Sequence, residues 1–264
     1  MTTLYHILFF LCLTASLTAQ QNFKIAVAGK AIEFSEMGEM TLIGTSGNEL
    51  VIEHEGTSGE DDRRAAGLRK ISALGLRDNT GLGLSVTESE GRILIQPVGS
   101  SDKAFTVRVP NSARVTVEQS TERGGGLTVE NFAGPLDVSM MYHEVQLKNA
   151  TGPLAVNTIY DVVTATWDSP PTQEARLHST YAGVDVTLPA VTRATLRLST
   201  GYGDMFTDFD LQIKSNTLAA NGSGERDREE PDAVKPGTLV GTIGGGGTLL
   251  ALTSTYSNLY LRKK

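Results

Sequence analysis

From about residue 21 onward, apolar and polar positions alternate in short runs. Glu49–Glu53 (ELVIE), Arg92–Gln96 (RILIQ), Phe105–Val109 (FTVRV), Arg114–Glu118 (RVTVE) and Thr195–Ser199 (TLRLS) all show a period of two. That period places every second side chain on one face, so each run predicts a β-strand with one buried side. Gly, Asn, Asp and Pro punctuate the runs, and the three-to-four spacing of an amphipathic helix is scarce. Asp61–Ile71 (DDRRAAGLRKI) is the best helix candidate, short and interrupted by Gly67.

Between the runs the chain repeats itself. Asn131–Val138 (NFAGPLDV) returns as Asn149–Val156 (NATGPLAV), eighteen residues later. A second marker extends the series, beginning at Ser139, Asn157, Ser179, Ser199 and Ser254, with starts 18, 22, 20 and 55 residues apart. Its fifth place holds His143, Asp161, Gly183, Gly203 and Asn258, types that tolerate positive φ, which predicts a recurring corner in that conformation. Repeats of about 18–22 residues with one or two strands each predict an all-β fold: a right-handed parallel β-solenoid in which each coil pairs with its neighbour. The 55-residue gap is expected to hide another coil or two. A β-sandwich of hairpins is the alternative, but two-residue Asn-Gly or Asp-Gly turns between matched strands are nearly absent.

Two stretches interrupt the pattern, giving a single domain over 21–264 with excursions at about 55–83 and 219–237. The first includes the helix candidate and the turn-rich Leu76–Gly83. The second, Ala219–Gly237 (AANGSGERDREEPDAVKPG), has too little to bury to offset its own ordering entropy and reads as a mobile loop or linker. Ahead of the domain, Leu4–Leu13 is an apolar run of about ten followed by small residues to Ala19 and Gln20, the form of a signal peptide over 1–20. The run is too short to span a bilayer, which takes about 20 apolar residues, so no stable membrane insertion is expected. Cys12 is the only cysteine and lacks the small residue a lipoprotein peptidase needs before it; the exported chain therefore relies on no disulfide. Net charge is −7 without a basic cluster, which argues against nucleic acid and anionic lipid as partners.

The Ser-Thr-x-x-Gly markers at Ser179 and Ser199, the run Gly244–Gly247 leading through Leu249–Leu252 to Ser254–Lys263, and the stretch from Gly67-Leu68-Arg69 to Asp78–Gly83 occur together in order. In these the chain resembles the bacterial "putative adhesin" family, exported β-solenoid domains of unknown function, over most of the length after the signal peptide. The closing coil departs from that pattern, with Asn258-Leu259 in place of Gly-Asp. The resemblance implies an adhesin-like role in the cell envelope.

Chemistry is thinly represented. Asp137, Asp161, Asp185 and Asp204 are the carboxylates a polysaccharide-cutting solenoid would need at a set separation, but in the marker alignment Asp161, Asp204 and Asp185 fall at the fifth, sixth and seventh places and form no column. His54, His143 and His178 lack ligand spacing, Gly201–Asp204 is only a fragment of a calcium nonapeptide, and neither Gly124–Gly126 nor Gly244–Gly247 leads to Lys-Ser or Lys-Thr. No catalytic residue, metal site or cofactor is expected. The binding candidates are Tyr142, Tyr160, Tyr181 and Tyr202, with Asp204. Exposed, these tyrosines and Tyr256 form an aromatic ladder for sugar rings or an apolar patch of a partner; buried, they pack a corner. Tyr181 and Tyr256 sit one marker place earlier than the others, a slip that turns some to the opposite face and favours packing.

The expectation is an exported, non-enzymatic binding module, located in the periplasm, on the outer-membrane surface or outside the cell, with a glycan or a cell-surface protein as partner. A rigid envelope scaffold is the alternative. A carbohydrate-active enzyme is the least favoured.

Overall fold

The computed structural model describes residues 21–54, 68, 71–99, 103–214 and 237–264. The signal-peptide segment lies outside these, as do all but Leu68 and Ile71 of the helix candidate and nearly all of the 219–237 excursion. Every described element is a strand. In chain order they are β1 (Gln21–Ala26), β2 (Ala31–Ser35), β3 (Met40–Thr45), β4 (Glu49–His54), β5 (Leu84–Ser89), β6 (Arg92–Pro97) and β7 (Phe105–Pro110). Then come β8 (Val115–Gln119), β9 (Leu127–Glu130), β10 (Leu136–Met140), β11 (Val145–Lys148), β12 (Leu154–Thr158), β13 (Val163–Thr166) and β14 (Ala175–Ser179). The last are β15 (Val184–Leu188), β16 (Ala194–Thr200), β17 (Met205–Thr207), β18 (Gln212–Ile213), β19 (Thr238–Ile243), β20 (Thr248–Ser254) and β21 (Leu259–Lys263). All five runs singled out by their alternation are strands.

The protein is all-β, with two large, mostly parallel sheets. One runs β1-β4-β7-β3-β9-β11-β13-β15-β21-β17, the other β18-β19-β16-β20-β14-β12-β10-β8-β2-β6-β5. From β7 to β18 successive strands alternate between the sheets, so each short link crosses from one sheet to the other. Alternation buries one side of each strand: Leu136, Val138, Leu154 and Val156 from one sheet, and Val145, Leu147, Val163 and Val186 from the other, join a common core. Trp167, fully buried, caps it beside a link and donates its indole N–H to the Ala150 carbonyl at 2.8 Å. A buried indole finds such a partner because an unmade bond there is costly.

Strand order departs from chain order at both ends. β2 and β3 lie between later strands, and β20 and β21 lie between β14 and β16 and between β15 and β17. The 55-residue gap therefore adds no further parallel pair of strands among its described residues. It supplies β19, which runs antiparallel to β16, and β18, which pairs antiparallel with β19 at the sheet edge. Hairpin geometry is also present where no Asn-Gly announced it: β5 and β6 pair antiparallel around Glu90-Gly91, with φ of 36° and 82°. Positive φ at both turn residues is what the right-handed twist of paired strands selects.

The positive-φ corner is not where the marker alignment put it. Neither Gly183 nor Gly203 has positive φ; among the repeat residues it falls on Asn131 (53°) and Asn149 (55°), which open the Asn-x-x-Gly-Pro-Leu repeat. Asn bears that conformation better than other non-glycine residues because its side chain bonds locally. Asn149 is fastened by two bonds of 2.7 Å with Asp168, donating from Nδ2 and accepting the Asp168 N–H at Oδ1. The repeat glycines answer to crowding: a Cβ on Gly152 would stand 2.1 Å from the Gly134 carbonyl oxygen, and one on Gly134 would stand 2.3 Å from that of Ala113.

The front excursion is ordered where it is described. The Asp78 carboxylate accepts the N–H groups of Thr80, Gly81 and Gly83 at 2.9–3.0 Å, and Asn79 brackets Val86 with two bonds of 2.8 Å.

Candidate functional site: a tyrosine ladder at one corner

The links joining β10 to β11, β12 to β13, β14 to β15, β20 to β21 and β16 to β17 turn one corner of the molecule. Parallel register aligns Met140, Thr158, Ser179, Ser254 and Thr200 at the last position before it. The hydroxyls of this column point inward and satisfy corner carbonyls that the turn would otherwise leave unpaired. Thr158 and Ser179 donate to the Asp161 carbonyl at 2.6 and 3.0 Å, Ser254 to that of Ala182 at 3.0 Å, and Thr200 to that of Ser257 at 3.2 Å. This accounts for the Ser and Thr of the recurring marker.

Two residues beyond that column stand Tyr142, Tyr160, Tyr181, Tyr256 and Tyr202. Their backbones continue the pairing through the turn: the N–H groups of Tyr160, Tyr181 and Tyr256 donate to the carbonyls of Met141, Ile159 and Thr180, and that of Tyr202 to the carbonyl of Thr255, at 2.8–3.0 Å. Held so, the rings stack in strand order. Centroid spacings are 5.2, 5.2, 5.0 and 4.9 Å, with interplanar angles of 17, 7, 9 and 5°. All five are exposed, from 39% at Tyr142 to 77% at Tyr202.

The ladder reverses the expectation that the tyrosines are corner packing. The one-place slip behind that expectation came from aligning Ser139, Asn157 and Ser199 with Ser179 and Ser254. In the structure Ser139, Asn157 and Ser199 share a column with His178 and Thr253, one residue earlier. With that offset removed, all five tyrosines fall on one face, and Tyr256 joins the candidates.

Among the described residues none of the five ladder hydroxyls has a hydrogen-bond partner. A phenol both donates and accepts, so the row is free to bond outward. Beside it, on the sheet formed by β10, β12, β14, β20 and β16, the column Ser139–Asn157–His178–Thr253–Ser199 presents a second row of polar side chains in the same register. His178 is held by Thr255 Oγ1 at 3.2 Å, and burial lowers its pKa, favouring the neutral ring. A shorter aromatic pair, Phe206 on Tyr260 at 5.4 Å, lies on β17 and β21, and the Arg262 guanidinium covers Tyr260 at 5.0 Å while gripping Asp185. The strand pattern of Leu259–Lys263 carried the signal for Tyr260 without saying what it would meet.

Asp204 lies two residues beyond Tyr202 and is exposed. Its N–H donates to Asn258 Oδ1 and its carbonyl accepts from Leu259, which splices β17 to β21 through the backbone. The other carboxylates are dispersed. Asp137 points outward between buried Leu136 and Val138, Asp161 accepts the N–H of Val162, and Asp185 is paired with Arg262.

No family model matches the chain, and no curated protein matches it. Two solved structures align along most of its length. One, described as a "putative cell adhesion protein" from Clostridium sporogenes, is 8% identical with a TM-score of 0.43, covering 93% of this chain and 100% of its own. The other, a "putative adhesin" from Bacteroides fragilis, is 10% identical with a TM-score of 0.25, covering 94% and 98%. At these scores neither likeness bears on the function of this chain.

Proposed function

We propose that the chain is an exported, non-enzymatic right-handed β-solenoid that acts as an adhesin-like binding module of the bacterial envelope, with the tyrosine ladder as its contact face. The observation that carries this reading is the ladder itself: five exposed rings in unbroken register along one corner. Exposed aromatic side chains gathered in one place mark interaction surfaces, because each offers a large, stiff contact area at low entropic cost. A scaffold serving only through length and rigidity has no use for such a row.

The test has two parts. Protease applied to intact producing cells is expected to remove the protein, and the purified chain, fluorescently labelled, is expected to be retained on cell surfaces. Retention should fall by an order of magnitude or more in a Tyr160→Ser/Tyr181→Ser variant of unchanged melting temperature. Protection from protease together with equal retention of the variant refutes the proposal and leaves the scaffold reading.

A further inference from the structure

We propose that the ladder takes a neutral, linear, β-1,4-linked glycan laid along the stack of strands, one sugar against each tyrosine. The inference rests on the reading of the ladder as a binding face.

Ring orientation decides how a ligand is met. Centroid spacings of 4.9–5.2 Å and near-parallel planes follow the strand spacing, about 4.8 Å, so the ring planes stand across the direction of stacking. The faces of the inner rings look at one another. What they show to solvent is a comb of ring edges and hydroxyls. Only the terminal rings, Tyr142 and Tyr202, have a face not stacked on another tyrosine, and Tyr202 is the more open, 77% exposed against 39%. Contact along the rest of the ladder is therefore by hydrogen bonding, and the five hydroxyls are unengaged within the described residues.

The row of Ser139, Asn157, His178, Thr253 and Ser199 repeats with the same period and, with His178 neutral, carries no charge. Asp161 and Asp204 lie on the opposite flank of the ladder and disfavour a polyanion. Two parallel rows of neutral donors and acceptors suit a neutral polyol. Period then separates the linear polymers. An extended peptide repeats its side chains on one face every two residues, about 6.7 Å, and drifts by more than one whole ring spacing along the ladder. Single-stranded nucleic acid needs open ring faces and cations. An extended chain of equatorially linked pyranoses advances by about one ring spacing per sugar. Successive sugars present alternate sides, and groups that both donate and accept serve either.

The experiment titrates the full chain, without its signal segment, with cello-oligosaccharides of increasing length by calorimetry. Malto-oligosaccharides, whose α-links curve the chain away, are the control. Affinity is expected to rise about two- to tenfold per sugar, the change one net hydrogen bond gives, and to level off at five sugars, one per ring. Tyr160→Phe/Tyr181→Phe keeps the stacked rings, removes two hydroxyls and should weaken binding of the five-sugar chain by about four- to a hundredfold. The inference is overturned by no binding of cello-oligosaccharides, by binding independent of length, by equal binding of malto-oligosaccharides, or by an unaffected Phe variant. If ladder-dependent retention on cells persists and cellohexaose does not compete for it, this inference falls alone and the proposed function stands. Loss of ladder-dependent retention removes both.

Discussion

Replacing Gly152 by Ala tests how tightly successive levels of the fold are nested. The added Cβ would lie 2.1 Å from the Gly134 oxygen and 2.6 Å from both the Gly134 carbonyl carbon and the Ala133 oxygen, all backbone atoms. Relief requires the link to move by roughly 1 Å against a strand spacing of about 4.8 Å. That movement strains two bonds stitching it to the level below, Thr151 N–H to the Phe132 carbonyl at 2.8 Å and Leu136 N–H to the Pro153 carbonyl at 2.9 Å. Overpacking costs about 1–3 kcal/mol, and weakened hydrogen bonds add about 1 kcal/mol each. Restricting the unfolded chain returns about 0.4–1 kcal/mol. The net is about 3 kcal/mol, a fall in melting temperature of roughly 6–12 °C for a domain of this size. Gly29→Ala is the control, since its φ of 77° is strained for Ala but its Cβ meets nothing. That strain costs about 1–2 kcal/mol. Thermal scans and urea titrations by far-UV circular dichroism measure both variants. A Gly152→Ala protein that melts with or above Gly29→Ala would refute the claim that crowding, and not conformation, selects this glycine.

Other expectations concern the side chains that fasten the links. Asn149→Gly keeps the positive φ and loses the bonds with Asp168, whereas Asn149→Ala also takes on backbone strain, so melting temperatures should rank wild type, Gly, Ala; an Ala variant above Gly contradicts this. Trp167→Phe leaves the Ala150 carbonyl unpaired in the core and should cost about 2–4 kcal/mol by urea denaturation, while native Trp167 fluorescence should be blue-shifted and resist acrylamide. Burial raises the pKa of Glu36, but bonds from the hydroxyls and N–H groups of Ser120 and Thr121 outweigh it, leaving the carboxyl below its ordinary 4.5. A depressed folded pKa gives stability that is complete above the ordinary value and is lost as pH falls through the folded one. Glu36→Gln should therefore flatten the acid limb of a melting-temperature profile below pH 4.5, and parallel profiles would disprove the linkage.

The strands could be read from sequence because their signal is local. A period of two needs only five or six residues, and β4, β6, β7, β8 and β16 fall where their alternation placed them. The repeat was readable for a related reason, since Leu136 and Leu154 pair directly and the eighteen-residue spacing is a real register. What escaped was phase. Ser and Thr occur both in the inward column of Ser179 and Ser254 and in the outward column of Ser139 and Ser199, and a hydroxyl is compatible with either face. Matching by residue type merged the two columns and displaced the tyrosines by one. Glycine misled in a similar way: Gly183 and Gly203 suggest unusual φ, yet Gly203 is small because a Cβ there would stand 2.0 Å from the Ser257 carbonyl oxygen. Such a contact joins residues more than fifty positions apart, beyond the reach of a local pattern. The insertion of β20 and β21 between earlier strands is equally non-local.

That insertion also constrains the order of assembly. β14 and β16, and likewise β15 and β17, are separated in the finished sheets by strands that lie last in the chain. Until Thr248–Lys263 is available, the interior of both sheets has an open slot flanked by unpaired edges, the kind of surface on which chains associate wrongly. Stepwise growth from the first strand to the last therefore cannot complete this molecule. Thr248–Lys263 acts as a keystone, and Tyr256, which joins Tyr181 to Tyr202, arrives with it, so the tyrosine ladder becomes continuous only once that segment has docked.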